Sequence, residues 1–248
     1  MARLTGQAYN SNQFELVVRT SAARCLGRAV KFLTAVWPAS YWCSSVLLKR
    51  AVKDVQFQVA YPRRAAAEVI WDDASASEHA VLLYSNQSLL IDALEGFASG
   101  GLRAGESVII IATQAHRAAL ERRLRVRGYD LDQARAEDRY IALDAEATLR
   151  ELMEGGWPND SGFKQFACRL LARARGDGRR VRAFGEMVAI LWDQGQPEAT
   201  VRLEEMWNQL QAEDEFSLFC AYPQASFPPA AGGKLVEICE QHSRIIPE

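Results

Sequence analysis

From residue 79 onward, the spacing of apolar residues switches repeatedly between that of a strand and that of a helix. The clearest strand is residues 107–112, an unbroken apolar run rich in β-branched residues, which is typical of a parallel strand covered on both faces. Strands are predicted near residues 80–84, 107–112, 140–143, 181–185 and 216–221, and helices near 89–97, 115–127, 145–154, 163–175, 197–213 and 234–241.

This alternation predicts an α/β domain over residues 77–248, with a mainly parallel sheet of about five strands and helices on both faces. Residues 1–76 do not follow the pattern and are interpreted as a poorly defined N-terminal extension, helical or disordered. Within it, the uncharged stretch 32–48 is interrupted by Pro38 and by serines. It is barely long enough to span a bilayer, so no membrane association is expected.

Charge and cysteine content narrow the class of protein. The formal net charge is −2, but residues 1–75 carry twice as many basic as acidic side chains, so the remainder is acidic. An acidic main domain gives no reason to expect nucleic-acid binding, and the arginine-rich helix near 115–127 is interpreted as a solvated surface. The 5 cysteines are scattered and lack CxxC spacing, which favours a reduced cytoplasmic protein without disulfides or structural zinc.

Ligands of open parallel sheets bind beyond the carboxyl ends of the strands, where the pattern places Tyr84, Thr113, Glu186 and Tyr222. The junction after the first strand, residues 83–88, contains neither glycine nor lysine. It therefore lacks the residues of a phosphate-binding loop, and no dinucleotide fingerprint follows any strand. No cofactor is indicated.

Glu186 follows an apolar strand directly, where a carboxylate is costly to bury without a partner. It is expected to cap the next helix, to pair with an arginine such as Arg182, or to face a ligand. Cys220, His242 and Glu186 could also form a nucleophile, base and orienting acid, although a thiol inside a buried strand is usually inert. With three histidines and no i, i+4 pair, no metal site is indicated. His79 could contact a ligand, although a histidine at the start of a strand is more often a hydrogen-bonded structural residue.

A set of residues spread over the predicted domain forms a recognisable pattern. In chain order these are His79 with Tyr84, the block 101–106, Gly128, Gly185-Glu186-Met187 with Trp192, Glu204 ahead of Asn208 and Leu210, Cys220-Ala221-Tyr222 with Phe227-Pro228, and His242 before Ile245-Ile246. Over about residues 78–246 this set resembles the MEDS domain, the sensory domain of methanogen and methylotroph regulators named after the dichloromethane repressor DcmR.

The resemblance implies a RecA/KaiC-like fold without a phosphate-binding loop, used for signal input beside histidine kinases, DNA-binding regulators or anti-sigma-type partners. It implies sensory-pocket roles for six residues, to which the strand-end argument adds Thr113. The candidate ligand-binding residues are His79, Tyr84, Thr113, Glu186, Cys220, Tyr222 and His242.

The leading hypothesis is a non-catalytic cytoplasmic sensory domain that binds a small ligand or a partner protein, such as a histidine kinase or another regulator. Its movable element is expected in residues 155–160 or 187–196. Two alternatives stay open: a divergent KaiC-like ATPase or Cys-dependent hydrolase, and a ligand-free antagonist in a kinase or sigma-factor pathway.

Overall fold

A computed structural model describes Trp71 and residues 77–176, 178–227 and 232–246. Apart from Trp71, the predicted extension over residues 1–76 lies outside these residues, and so does the uncharged stretch 32–48. The described part contains no helix that is both long enough and apolar enough to cross a membrane.

The main sheet of the described part has six strands, all parallel, in the order β3-β2-β6-β7-β1-β8. This confirms the predicted parallel sheet, with one strand more than the expected five. The strands are β1 (His79–Tyr84), β2 (Ser107–Ala112), β3 (Tyr140–Asp144), β6 (Val181–Gly185), β7 (Ser217–Pro223) and β8 (Arg244–Ile246). A separate antiparallel pair is formed by β4 (Met153–Glu154) and β5 (Trp157–Pro158).

The helices connect successive strands, as the alternating pattern predicts. One helix begins at Pro197, as predicted, because the fixed φ of proline suits the first helical position. The helices are α1 (Gln87–Arg103), α2 (Gln114–Val126), α3 (Leu131–Ala136), α4 (Ala145–Leu152), α5 (Asp160–Arg175), α6 (Met187–Asp193), α7 (Pro197–Glu213) and α8 (Gly232–Glu240).

The two faces of the sheet carry separate hydrophobic cores, because successive strand residues point to opposite sides. In β2, Val108 and Ile110 join the core formed with α1, α2 and α3, whereas Ile109 and Ile111 join the core formed with α4 to α8. The prediction of helices on both faces is therefore confirmed. The finer resemblance to a RecA/KaiC-like fold stays a prediction.

The turn into β2 shows why its glycines are needed. Gly105 has a φ of 75°, which favours glycine, and a Cβ on Gly101 would lie 2.9 Å from Val108 Cγ2. Glu106, the next residue, is buried and pairs with Arg182. The expected pair between Arg182 and Glu186 is therefore wrong, because Glu106 already occupies the guanidinium.

Two further details differ from the sequence predictions, and a third adds to them. Strand β7 was predicted near residues 216–221 but continues through Tyr222 and Pro223, since Pro223 needs no ladder hydrogen bond at the end of a strand. Residues 153–158 form the β4–β5 hairpin, where a helix near 145–154 and a loop over 155–160 were predicted. Trp71, assigned to the extension, is buried against Phe97 and Phe219 of the domain core.

Candidate functional site

At the edge formed by the carboxyl ends of the strands, β2 and β6 mark a topological switch point. These strands are hydrogen-bonded neighbours, yet the helices that follow them lie on opposite faces of the sheet. The two chains diverge at such a point, and open α/β sheets bind ligands there. The residues after the two strands are Thr113 and Glu186.

Glu186, which follows β6, contacts residues that follow β2 at this switch point. Its Oε2 accepts a hydrogen bond of 2.7 Å from the Thr113 backbone N–H, and its Oε1 lies 2.6 Å from His116 Nδ1 on α2. Thr113 and Glu186 occupy the N-cap positions of α2 and α6, but neither side chain caps its helix. Of the three alternatives for Glu186, capping of the next helix is therefore wrong.

His116 extends this group to the surface. Its Nε2 contacts Oε1 of the exposed Gln87, so both ring nitrogens face oxygen atoms. Both contacts are hydrogen bonds only if the ring carries two N–H groups or if Gln87 turns its NH₂ toward it. Tyr84 is close enough for the Glu186 carboxylate to act on it: burial, then Glu186 and Asp193, raise the pKa of the Tyr84 phenol. We call Tyr84, Gln87, Thr113, His116 and Glu186 the edge site.

A second polar group lies inside the core, between the sheet and helices α7 and α8. We call it the buried cluster. Glu204 of α7 is its centre, and Thr200, Glu204 and Asn208 recur at i, i+4 on the sheet-facing side of that helix. Around Glu204 lie His79 at the start of β1, Cys220 and Tyr222 of β7, and His242 after α8. The exposed fraction of these five residues does not exceed 5%.

The distances within the buried cluster are short on every side. Glu204 Oε2 lies 3.4 Å from His79 Nε2 and 3.5 Å from Cys220 Sγ, and these two atoms are 3.5 Å apart. Glu204 Oε1 accepts a 2.6 Å hydrogen bond from the Tyr222 hydroxyl and lies 3.5 Å from His242 Nε2. The two imidazole rings have centroids 4.0 Å apart.

Burial and the central carboxylate set the charge states of this cluster. Burial alone would raise the pKa of Glu204, but His242, His79 and Tyr222 outweigh it and lower the pKa to about 2. Burial lowers the pKa of His242 to about 4. Burial and then the Glu204 charge raise the pKa of Cys220 well above its usual value. At neutral pH the cluster therefore holds a buried carboxylate beside a neutral imidazole and a protonated thiol.

The seven predicted site residues thus fall into two groups. Tyr84, Thr113 and Glu186 belong to the edge site, where Thr113 and Glu186 are joined by a hydrogen bond. The remaining four, His79, Cys220, Tyr222 and His242, meet in the buried cluster, although Tyr222 was expected at the strand ends. The proposed arrangement of Cys220 and His242 with Glu186 is not formed, because Glu186 is bonded to Thr113 and His116, and Glu204 is the carboxylate beside Cys220.

Two central residues were not among the seven. Glu204 appeared only as part of the family resemblance, although a carboxylate within the apolar stripe of a helix, next to Leu203 and Trp207, is a signal of a buried polar site. His116 lies in an arginine-rich helix that was interpreted as solvated surface. Its partner comes from 70 residues further along the chain, and no spacing in the sequence reveals that contact.

A cleft of about 360 Å³ lies at the opposite edge of the sheet and contains neither group. Part of its charged lining is paired, since Glu106 binds Arg180 and Arg182, and Arg175 binds Asp214, while Arg179 donates to backbone oxygens. None of the predicted site residues lines this cleft, so the candidate sites are the edge site and the buried cluster.

Comparison with known proteins agrees with the residue pattern. The family model MEDS, described as methanogen/methylotroph, DcmR sensory domain, matches residues 78–243. That range covers all of the edge site and the buried cluster. A comparison with curated proteins finds no match.

Proposed function

The chain belongs to the MEDS family of sensory domains, and from this membership we propose that it is a non-catalytic signal-input domain that binds a small polar ligand at the edge site. The observation that carries the proposal is the position of Glu186, whose carboxylate contacts Thr113 and His116 at the β2–β6 switch point. A ligand with its own donors can take the place of Gln87 on His116 or compete for Glu186.

The same residue offers a route from binding to output. Glu186 is followed at once by α6 and its exit turn, residues 187–196, one of the two segments expected to move. Most of α6 is buried, and Trp192 is tied to Ser226 O by a 2.7 Å hydrogen bond. A ligand that changes the bonds of Glu186 therefore acts on a packed element with defined contacts, which is what a two-state response requires.

Two features support a non-catalytic role. The Asn86 side chain accepts from Leu89 N and so occupies the α1 N-terminus where a phosphate would bind in an ATPase. Cys220 is completely buried, and its raised pKa keeps it a thiol, whereas nucleophilic cysteines are accessible thiolates. The divergent ATPase and the Cys-dependent hydrolase are therefore the weaker alternatives.

The proposed partner remains a histidine kinase or another regulator in the cytoplasm, and no nucleic-acid partner is proposed. Arginines of α2 support the latter point, because Arg123 pairs with Asp92 and Glu95, and Arg127 also pairs with Glu95. Groups already neutralised by acidic partners contribute little to phosphate binding.

A thermal-shift screen of purified protein against a library of small metabolites tests the proposal. A ligand at 100 times its dissociation constant stabilises the folded state by about 2.7 kcal/mol. We expect at least one compound to stabilise the wild type and to lose this effect in Glu186→Gln. If no compound stabilises the wild type, the ligand-free antagonist is the better account. If Glu186→Gln responds equally, the ligand does not bind at the edge site.

A further inference from the structure

We propose that His79, Glu204, Cys220 and His242 bind one divalent transition-metal ion, with Zn²⁺ as the best fit, in a closed site that fastens α7 and the C-terminal segment to the sheet. One donor atom from each residue can be chosen so that all four lie within 4.8 Å of one another. The site goes beyond ligand binding at the edge site and shares no residue with it.

Three separations among the four donor atoms match a tetrahedral zinc site, within a set that spans up to 4.8 Å. Zinc binds nitrogen and oxygen at about 2.0–2.2 Å and sulfur at about 2.3 Å, which places neighbouring donors roughly 3.3–3.6 Å apart around a tetrahedron. The distances from His79 Nε2 to Cys220 Sγ and from each of these atoms to Glu204 Oε2 are 3.5, 3.4 and 3.5 Å. His242 Nε2 completes the set from the other side of the carboxylate.

Hydrogen bonds outside the cluster fix the orientation of His79. The Asn208 NH₂ donates to Gln241 O and Gln241 Oε1, at 2.8 and 2.9 Å. Its oxygen must therefore face His79 Nδ1, at 2.9 Å. Nδ1 therefore carries a proton, which leaves Nε2, the nitrogen that faces the cluster, as the atom that would bind a metal.

His242 is oriented in the same way. Its Nδ1 lies 2.7 Å from Ile238 O, a carbonyl that can only accept, so the proton is again on Nδ1. Its Nε2 is buried, faces the cluster and has no hydrogen-bond partner. A buried acceptor left in this state costs roughly 1–3 kcal/mol. Two imidazole nitrogens, a thiol and a carboxylate thus lie within 4.8 Å of one another, and a cation between them satisfies all four.

The character of the donors selects the metal and its role. Two imidazoles, one thiol and one carboxylate suit Zn²⁺ better than Mg²⁺ or Ca²⁺, which require oxygen donors. All four positions of the tetrahedron are filled by protein, and the residues are buried, as in structural rather than catalytic zinc sites. On binding, Cys220 releases its thiol proton to solvent and becomes a thiolate ligand. Tyr222 then orients Glu204 through the bond to Oε1.

The test uses the full chain, purified, stripped with a chelator and titrated with Co²⁺ as a spectroscopic probe. We expect one equivalent to bind, with the intense visible bands of a tetrahedral site and a thiolate-to-cobalt charge-transfer band in the near ultraviolet. Zn²⁺ should displace the Co²⁺ and abolish both. A wild-type protein that shows no such bands, or the spectrum of six-coordinate Co²⁺, would overturn the proposal whatever the variants do.

Matched cysteine variants locate the site. Cys220→Ser should lose the charge-transfer band and lower Co²⁺ affinity at least tenfold, whereas Cys168→Ser, which changes an exposed cysteine, should bind as the wild type does. His242→Gln provides a second test if Cys220→Ser does not fold. Retention of the band in Cys220→Ser, or its loss in Cys168→Ser, would place the metal elsewhere and contradict the proposal.

Discussion

The edge site and the buried cluster are built on the same plan and differ in their access to solvent. Each has one glutamate that accepts a hydrogen bond and lies beside histidine. In the edge site, Glu186 leads through His116 to the exposed Gln87. In the buried cluster, Glu204 has no exposed surface, and its partners are buried as well.

This difference separates two roles for a carboxylate. A buried charge is retained only where every neighbour compensates it, so Glu204 and its partners form a fixed unit that ties β1, β7, α7 and the C-terminal segment together. Glu186 is also buried, with 6% of its surface exposed, but its partner His116 is half-buried and contacts the exposed Gln87. A ligand or water can therefore replace one partner of the edge site at a smaller cost. We therefore propose that Glu204 keeps its partners at all times, whereas Glu186 can exchange a partner for a ligand. The following predictions test this difference between the two sites.

The largest expected effect is on stability. Glu204→Ala leaves the Tyr222 hydroxyl and the surrounding polar groups without their central partner, and we expect a loss of about 3–5 kcal/mol in the free energy of unfolding. Glu186→Ala should cost only about 1–2 kcal/mol, because water can reach its partners. Urea unfolding of both metal-free variants at neutral pH measures the difference. Equal losses would contradict the proposed difference.

The second expected effect is acid sensitivity of the metal-free protein. In the folded state the pKa of His242 is lowered from 6.5 to about 4 and that of Glu204 from 4.5 to about 2. The unfolded chain therefore binds protons more readily than the folded chain, and acid favours unfolding. Relative to acid pH, both groups thus stabilise the fold at neutral pH. Their contribution should fall as the pH drops from 6.5 towards 2, by on the order of 3 kcal/mol for His242 alone.

Urea unfolding at a series of pH values measures this loss. The variant His242→Gln should have a flatter profile between pH 6.5 and 4, and Glu186→Gln should retain the wild-type slope there. A wild-type stability that rises on acidification over this range would show that His242 is not held neutral.

A smaller and local effect is expected at the edge site. Glu186→Gln replaces charge-assisted hydrogen bonds by neutral ones, with a cost of about 0.5–1.5 kcal/mol. Hydrogen exchange should become faster in α6 and at the start of α2, while β7 keeps its protection. Faster exchange across β7 as well would mean that the two sites are one cooperative unit.

The smallest effect is predicted for Gln87→Ala. Gln87 is exposed, and His116 keeps its bond to Glu186 when the amide is removed. Stability should therefore change by no more than about 0.5 kcal/mol. A loss several times larger in urea unfolding would show that the contact is a structural bond and not an exchangeable one.

The fold was predictable because its signals are local. The buried run of β2 and the Pro197 start of α7 each identify an element within a few residues. Strand β8 was missed because three residues are too few to show a period, and β7 was predicted too short because proline was interpreted as its end. The prediction that 77 is the first residue of the domain stays a prediction, with Trp71 packed against the core ahead of it.

The sites were less predictable because they depend on contacts between distant parts of the chain. Strand ends gave Tyr84, Thr113 and Glu186, since parallel strands bring these positions to one edge. The donors of the buried cluster are separated by up to 163 positions, from His79 to His242, so spacing rules for metal ligands do not detect them. The family resemblance named His79, Cys220 and His242, but only the packing of α7 against the sheet brings Glu204 between them.

The central claim is that the buried cluster retains an ion while the edge site does not. The most direct measurement is the zinc content, by elemental analysis, of wild type, Cys220→Ser and Glu186→Gln after dialysis against the same zinc buffer. The account predicts about one zinc per chain in the wild type and in Glu186→Gln, and a small fraction of that in Cys220→Ser. Equal zinc in all three proteins, or its loss in Glu186→Gln alone, would contradict it.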